Sequence, residues 1–199
     1  MAAAWIWIGG AVIAGFAGLA FWSFRRRRGH PVPDILRPGK PLPEFRAVDE
    51  QGNPVRSTDL VGTPAVILFV RGGWCPFCNA QVENLTAYYK DIVDLGANLV
   101  LVTPKPLETT RRVARFFEVE FEFWLDESLD AAEKLGLLDR SGVPEEFRRE
   151  YGDHTVWPAA LVIDRAGIIR YANLSRQPSD RPDPEAMLKV LRGRTRVSG

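Results

Sequence analysis

The sequence predicts a mixed α/β domain carried behind a single membrane-spanning segment. Three observations lead there. Residues Met1 to Phe24, "MAAAWIWIGGAVIAGFAGLAFWSF", contain no charge. Two continuous apolar runs, "PAVILFV" at 64–70 and "NLVLVT" at 98–103, flank a stretch with helical spacing. A strand–turn–strand pattern, "ALVIDRAGIIRYA", follows near the end. Hydrophobic residues make up 46% of the 199-residue chain, which fills a core and excludes a disordered polypeptide. The formal net charge of +1 supplies no global field to recruit nucleic acid. Two cysteines are too few for a disulfide-stapled scaffold, so if they act, they act with each other.

About 20 apolar residues cross the hydrocarbon of a bilayer. Residues 1–24 are long enough, and Trp5, Trp7 and Trp22 lie near the two ends, where indole rings favour the interface. "RRRR", Arg25 to Arg28, comes directly after the run, whereas a cleavable leader carries its charge before it. The segment is therefore expected to be an uncleaved anchor in contact with lipid. Positive residues stay cytoplasmic, so the N-terminus should point out and the soluble domain should face the cytoplasm. That compartment is reducing, and any disulfide there is transient. Residues 25–40 read as a basic, Pro-rich linker. The soluble domain is expected over 41–193, with a tail at 194–199.

Within the domain, "EFRAVDEQGNPV" predicts two short strands around a Gln-Gly-Asn turn. "PAVILFV" is a continuous run with β-branched and aromatic residues, as in a strand buried on both faces. From Pro76 the period changes: Val82, Leu85, Tyr89 and Ile92 recur at helical spacing, and Gly96 stops the helix. "NLVLVT" is a second buried strand. Residues Leu107 to Phe117 form a helical pattern, "FEFWLD" a shorter strand, and "ESLDAAEKLGL" a short helix ending at Gly136. Leu138 to Trp157 shows no core periodicity and reads as an insertion, with a short helix at Glu145 to Tyr151. Ala159 to Ile163 and Ile168 to Ala172 form strands joined by an Asp-Arg-Ala-Gly turn. "DPEAMLKVL" is a closing helix with Pro184 in its first turn. The chain holds no internal repeat.

The chemistry sits in "FVRGGWCPFCNAQ", which contains both cysteines, Cys75 and Cys78. Cys75 falls between a buried strand and a helix that begins near Pro76. A thiol at a helix N-terminus meets unpaired N–H groups and the positive end of the dipole, which favour thiolate and lower its pKa from the free value of roughly 8.5. Cys78 lies about one turn on, on the same face, where a disulfide with Cys75 is sterically allowed. One sulfur can then attack a substrate and the other resolve the intermediate. Trp74 and Phe77 offer an apolar shelf, and Gly72 and Gly73 a tight turn. Two alternatives stay open on the residues alone. The cysteines could be buried and inert, or they could bind a metal. Zinc wants four ligands, and His30 and His154 are the only histidines, so a closed zinc site is not expected. A Cu(I) site from Cys75, Cys78 and His154 is conceivable, because thiolates select that ion.

"WCPFC" ahead of a helix, with "VWPAALVID" downstream, resembles the thioredoxin fold, a mixed central sheet flanked by helices. The opening "GKPLPEFRAVDEQGNPVRSTDLVGTPAVILFVRGGWCPFCNAQ" and the closing "VIDRAGIIRYA" resemble the peroxiredoxin-like redoxins of the alkyl hydroperoxide reductase/thiol-specific antioxidant (AhpC/TSA) family over about 39–191. That resemblance implies a redox-active Cys75–Cys78 disulfide, thiol–disulfide exchange or peroxide reduction in an antioxidant role, no bound cofactor, and electrons from a cytoplasmic thioredoxin-like thiol donor. It places attack on Cys75, the sulfur nearest the helix end and by expectation the exposed one. It also puts Trp74 and Pro76 beside the substrate, and Pro158 at the position of a cis-proline facing the cysteines. The sequence departs from the family's Pro-x-x-x-Thr-x-x-Cys: here Arg71 stands for the proline and Cys75 for the threonine ahead of Cys78.

Overall fold

The computed structural model describes residues 31–105, 121–175, 177 and 179–195. The expected helix at Leu107 to Phe117 and the apolar segment at 1–24 lie outside these residues. Among the described residues no helix is long and apolar enough to cross a membrane.

The centre is strand β3 (Ala65–Phe69), whose five side chains are all buried. Alternate residues point to opposite faces. Ala65, Ile67 and Phe69 enter one core, and Val66, Leu68 and Val70 enter the other. A strand with two apolar faces needs neighbours on both edges and cover on both sides. β4 (Asn98–Thr103) runs parallel to it, from Ala65↔Asn98 to Phe69↔Val102, and β5 (Glu122–Leu125) runs parallel to β4. β8 (Ala159–Ile163) pairs antiparallel on the other edge of β3 and β9 (Ile169–Leu174) follows it. The short β1 (Arg46–Val48) and β2 (Pro54–Arg56) extend the far side, giving a seven-stranded sheet in the order β2-β1-β5-β4-β3-β8-β9.

The single helix expected from Pro76 to Gly96 is two, α1 (Pro76–Thr86) and α2 (Tyr89–Asp94). At their junction the N–H groups of Ala87 and Tyr88 reach back only three residues, to Asn84 and Leu85, and this tightened turn ends the α1 ladder. Val82, Leu85 and Ile92 still enter one core, together with Met187, Leu188 and Leu191 of α5 (Pro184–Thr195). The opposite face is covered by Leu36, Phe45 and the short α3 (Asp130–Lys134), whose first turn is capped by the Asp126 carboxylate accepting the N–H groups of Ala131 and Ala132.

The insertion at 138–157 carries two strands that its sequence does not announce. β6 (Leu138–Asp139) and β7 (Thr155–Val156) pair antiparallel and close it at its base. Between them, a 3-10 turn at Glu145–Phe147 runs into α4 (Arg148–Tyr151), where a short helix was expected. The closing hairpin turns on Asp164, whose Oδ1 accepts the N–H groups of Ala166 and Ile168. Its second strand begins one residue later than expected and runs on to Leu174, past a register shift at Val162/Ile163.

Part of the Pro-rich stretch ahead of the domain is packed. A 3-10 turn at Asp34–Leu36 buries Leu36 completely. Gly39 N–H donates to the Ile169 carbonyl, Ile169 N–H to that of Lys40, and Leu42 N–H to that of Gly167. Truncating a fully buried leucine removes its transfer energy and leaves a cavity. Leu36→Ala is expected to lower the unfolding free energy by about 2–5 kcal/mol, read from the denaturant midpoint. An unchanged midpoint would show that this turn contributes nothing to the fold.

Candidate active site

The sheet delivers the cysteines. Val70 N–H still donates to the Val102 carbonyl at 2.9 Å, and the chain then leaves the sheet through Arg71–Trp74. Gly72 has φ +125, and a Cβ there would stand 3.3 Å from the Trp74 indole, so glycine suits both the conformation and the space. Cys75 is the N-cap residue of α1 and Pro76 its first helical residue. The Cys75 carbonyl accepts from the N–H groups of Cys78 (3.1 Å) and Asn79 (3.2 Å), which fixes the first turn with Cys78 inside it. The Asn79 amide donates to the Gly73 carbonyl at 3.2 Å and holds the loop against the helix.

Both sulfurs are free thiols and both are buried: Cys75 is 1% exposed and Cys78 0%. The expectation that Cys75 is exposed is corrected here. A residue that the sequence did not single out lies on top of the pair. Arg181, in the segment between β9 and α5, places Nη2 3.2 Å from Cys78 Sγ and 3.8 Å from Cys75 Sγ. Its Nη1 is held by Ser175 Oγ and the Asp180 carbonyl. Arg71 N–H approaches Cys78 Sγ at 3.4 Å. No periodicity marks Arg181; its only sequence signal is one cation in the polar, Pro-rich run "QPSDRPDP".

These groups divide one proton unequally. The Cys75 thiol is brought down from 9.0 to about 6, chiefly by the hydrogen bond from the Cys78 thiol. Burial opposes that shift, while the Cys78 N–H and the charges of Arg181 and Arg71 add to it. Cys78 is pushed up well above its ordinary range, because it keeps its proton to donate to Cys75 and because it is buried. Arg181 stands nearer to Cys78, yet its charge acts on both sulfurs. The Cys78 N–H at the helix start, which favours charge on Cys75, and the burial of Cys78, which disfavours charge there, place the thiolate on Cys75.

The insertion is fastened to this loop through one buried cation. Arg71 Nη2 pairs with Asp139 Oδ2 at 2.9 Å and donates to the Gly142 carbonyl, with its side chain only 7% exposed. Its guanidinium lies 4.8 Å over the Trp74 ring, which stacks on Phe147. The Thr155 hydroxyl donates to the Arg71 carbonyl. Trp74 is thus half-buried between loop and insertion, whereas Pro76 and Phe77 are exposed on the first turn of α1.

Pro158 lies just ahead of β8, and the Phe69↔Ala159 register sets it beside the end of β3 from which the cysteine loop departs. The expected cis bond is absent: no cis peptide occurs among the described residues. The ladder continues straight through this point, with Trp157 N–H donating to the Leu137 carbonyl and Ser175 N–H to that of Pro158. A substrate platform built on a bend at Pro158 is therefore withdrawn. His154 is exposed and its Nδ1 accepts the Ser141 N–H. Among the described residues no three His, Cys, Asp or Glu side chains gather as a metal site, so a Cu(I) set of Cys75, Cys78 and His154 is not preformed.

The shift of Cys75 fixes a pH dependence. In reduced protein the first thiolate is expected to appear with a midpoint near 6, and the second only in the alkaline range. Arg181→Gln should move the first midpoint upward, by ultraviolet thiolate absorbance. A single transition in the ordinary thiol range would contradict the assigned proton positions.

Comparison with known proteins agrees with this geometry. The AhpC/TSA family description matches residues 38–172. A thiol:disulfide interchange protein DsbE of Tatumella citrea is 27% identical over 160 residues, covering 78% of this chain and 76% of the relative. The DsbE of Escherichia coli K12 is 28% identical over 165 residues, covering 80% and 79%. Among solved structures, peroxidoxin BcpB of Mycobacterium tuberculosis superposes with a TM-score of 0.63 at 19% identity, over 80% of this chain and 98% of that one. A thiol peroxidase of Chromobacterium violaceum gives 0.62 at 18%, over 81% and 90%. The chain belongs to the AhpC/TSA family, as a thiol oxidoreductase with a mixed α/β, thioredoxin-like fold.

Proposed function

We propose that this protein reduces disulfides by exchange through Cys75 and Cys78. The observation that carries the reading is the geometry of the pair: Cys75 caps the start of α1, Cys78 lies inside its first turn, and the Arg181 guanidinium stands on both sulfurs. That arrangement lowers the Cys75 pKa and raises that of Cys78. Cys75 Sγ attacks one sulfur of the substrate, its S–S bond breaks, and a mixed disulfide forms as a thiolate leaves. Cys78 then gives up its proton to that leaving group and attacks Cys75 Sγ. The second substrate sulfur departs as a thiolate and a Cys75–Cys78 disulfide remains. An external dithiol, thioredoxin-like in chemistry, returns the pair to the reduced state. Trp74 and Pro76 flank the attacking sulfur and position the substrate.

Peroxide reduction is the second reading, supported by the family and by the guanidinium on the sulfurs, which can hold a peroxide oxygen. The thiolate takes one oxygen as sulfenic acid and releases water or an alcohol; the other cysteine condenses with it to the same disulfide and a water. Stopped-flow mixing of reduced protein with hydrogen peroxide, an organic hydroperoxide and a protein disulfide ranks the two. Exchange should be the faster, and a faster reaction with peroxide would make peroxide reduction the primary activity.

We further propose that Met1–Phe24 anchors the chain in a bilayer and that the domain faces the cytoplasm, on the strength of "RRRR" after an uncharged run. With Cys75 and Cys78 replaced by serine, a Gly199→Cys reporter should resist a membrane-impermeant thiol reagent in intact cells. Labelling without permeabilisation would set the domain on the outer side.

For the chemistry itself, Cys75→Ser is expected to abolish exchange. Cys78→Ser should accumulate a mixed disulfide, visible by mass. Mild oxidation of the unaltered protein should take both thiols to none without a dimer on a non-reducing gel. Free thiols persisting after oxidation would refute the pairing.

A further inference from the structure

A disulfide substrate has to approach Cys75 Sγ, and the group already standing on the two sulfurs is the Arg181 guanidinium. Among the described residues no carboxylate pairs with it. Its Nη1 is held only by a hydroxyl and a main-chain carbonyl, and its buried Nε–H has no acceptor. Arg71, the other cation of the loop, differs in that its charge is already paired with the Asp139 carboxylate through Nη2, although its buried Nε–H also lacks an acceptor. A second N–H donor in the cysteine loop is also vacant: Trp74 Nε1–H is buried without an acceptor. The surroundings of the sulfurs thus hold N–H donors in excess and a guanidinium whose charge is balanced only by the thiolate itself. When Cys75 is consumed in a mixed disulfide, that counter-ion disappears and a half-buried cation with an enclosed, unpartnered Nε–H is left beside the sulfurs, a place that favours a new anion.

From this geometry we infer that Arg181 is a specificity-determining residue, and that the favoured substrates are disulfides carrying a carboxylate close to the S–S bond. The carboxylate takes the guanidinium fork as the thiolate charge is lost, in a charge-assisted and bidentate contact. A disulfide with an ammonium group in the same place meets like charge. This inference rests on the exchange reading above and deepens it by naming a substrate class.

Three small aliphatic disulfides of similar size test it on the reduced full chain: dithiodiglycolate (anionic), bis(2-hydroxyethyl) disulfide (neutral) and cystamine (cationic). Each rate is divided by that disulfide's rate with free dithiothreitol, which removes differences in intrinsic reactivity. Comparing the ratios among substrates also cancels any change in the nucleophile caused by substituting Arg181. The expected order is anionic, neutral, cationic, with roughly tenfold between successive members at low salt and compression of the series as ionic strength rises. Arg181→Gln should bring the three normalised rates together, and Arg181→Lys should keep the order with a smaller spread. Equal normalised rates in the unaltered protein, or an order that survives Arg181→Gln, would overturn this inference alone. No exchange with any of the three would overturn the exchange reading and this inference with it.

Discussion

A charge that has left water must find a partner, and Arg71 is the clearest case in this molecule. Its side chain sits at the mouth of the central strand, almost wholly enclosed, with Asp139, the Gly142 carbonyl and the Trp74 face around it. Removing one member of such a pair costs about 3–5 kcal/mol, because the other charge stays buried alone. The insertion is therefore required by the cysteine loop. Asp139 lies in β6, and β6 is held by its pairing with β7. The Thr155 hydroxyl of β7 in turn takes the Arg71 carbonyl. Loop and insertion close on one another, and the backbone N–H of the same Arg71 reaches a cysteine sulfur.

Reactivity is built from one local and one distant contribution. The local part is a strand that stops, a glycine that turns, and a helix whose first amide groups face the sulfurs. That arrangement would lower a thiol pKa in any sequence context. The distant part is Arg181, more than a hundred positions along the chain from both cysteines. It is brought over them by the β8–β9 hairpin and the turn that follows, where Ser175 both hydrogen-bonds the guanidinium and ties back to Pro158. The hairpin thus completes the sheet and carries the cation to the site.

What could be read from the residues follows the strength of their burial pattern. β3, β4 and β8 are unbroken apolar runs, and such runs have few other places to go in a folded chain. The position of the cysteines follows from the switch of period at Pro76. β6 and β7 were not legible because two-residue strands contain no period at all. The break between α1 and α2 was not legible because both pieces keep their apolar side chains on one face. Arg181 was invisible because its role depends on tertiary placement of a polar, proline-rich segment. Pro158 misled for a related reason: a proline before a strand fits a bend or a straight ladder equally well, and here hydrogen bonds on both sides hold it straight.

The packed turn around Leu36 sets a leash. With the first 24 residues in a bilayer, as proposed, and Arg25–Arg28 at its surface, only Gly29–Pro33 separate the headgroups from the packed turn at Asp34–Leu36. Fully stretched, that length of chain reaches about 17 Å. The catalytic domain would patrol a layer scarcely deeper than its own diameter. Its encounters would be with molecules embedded in the membrane or confined to its surface, at an effective concentration fixed by the short tether rather than by the volume of the compartment.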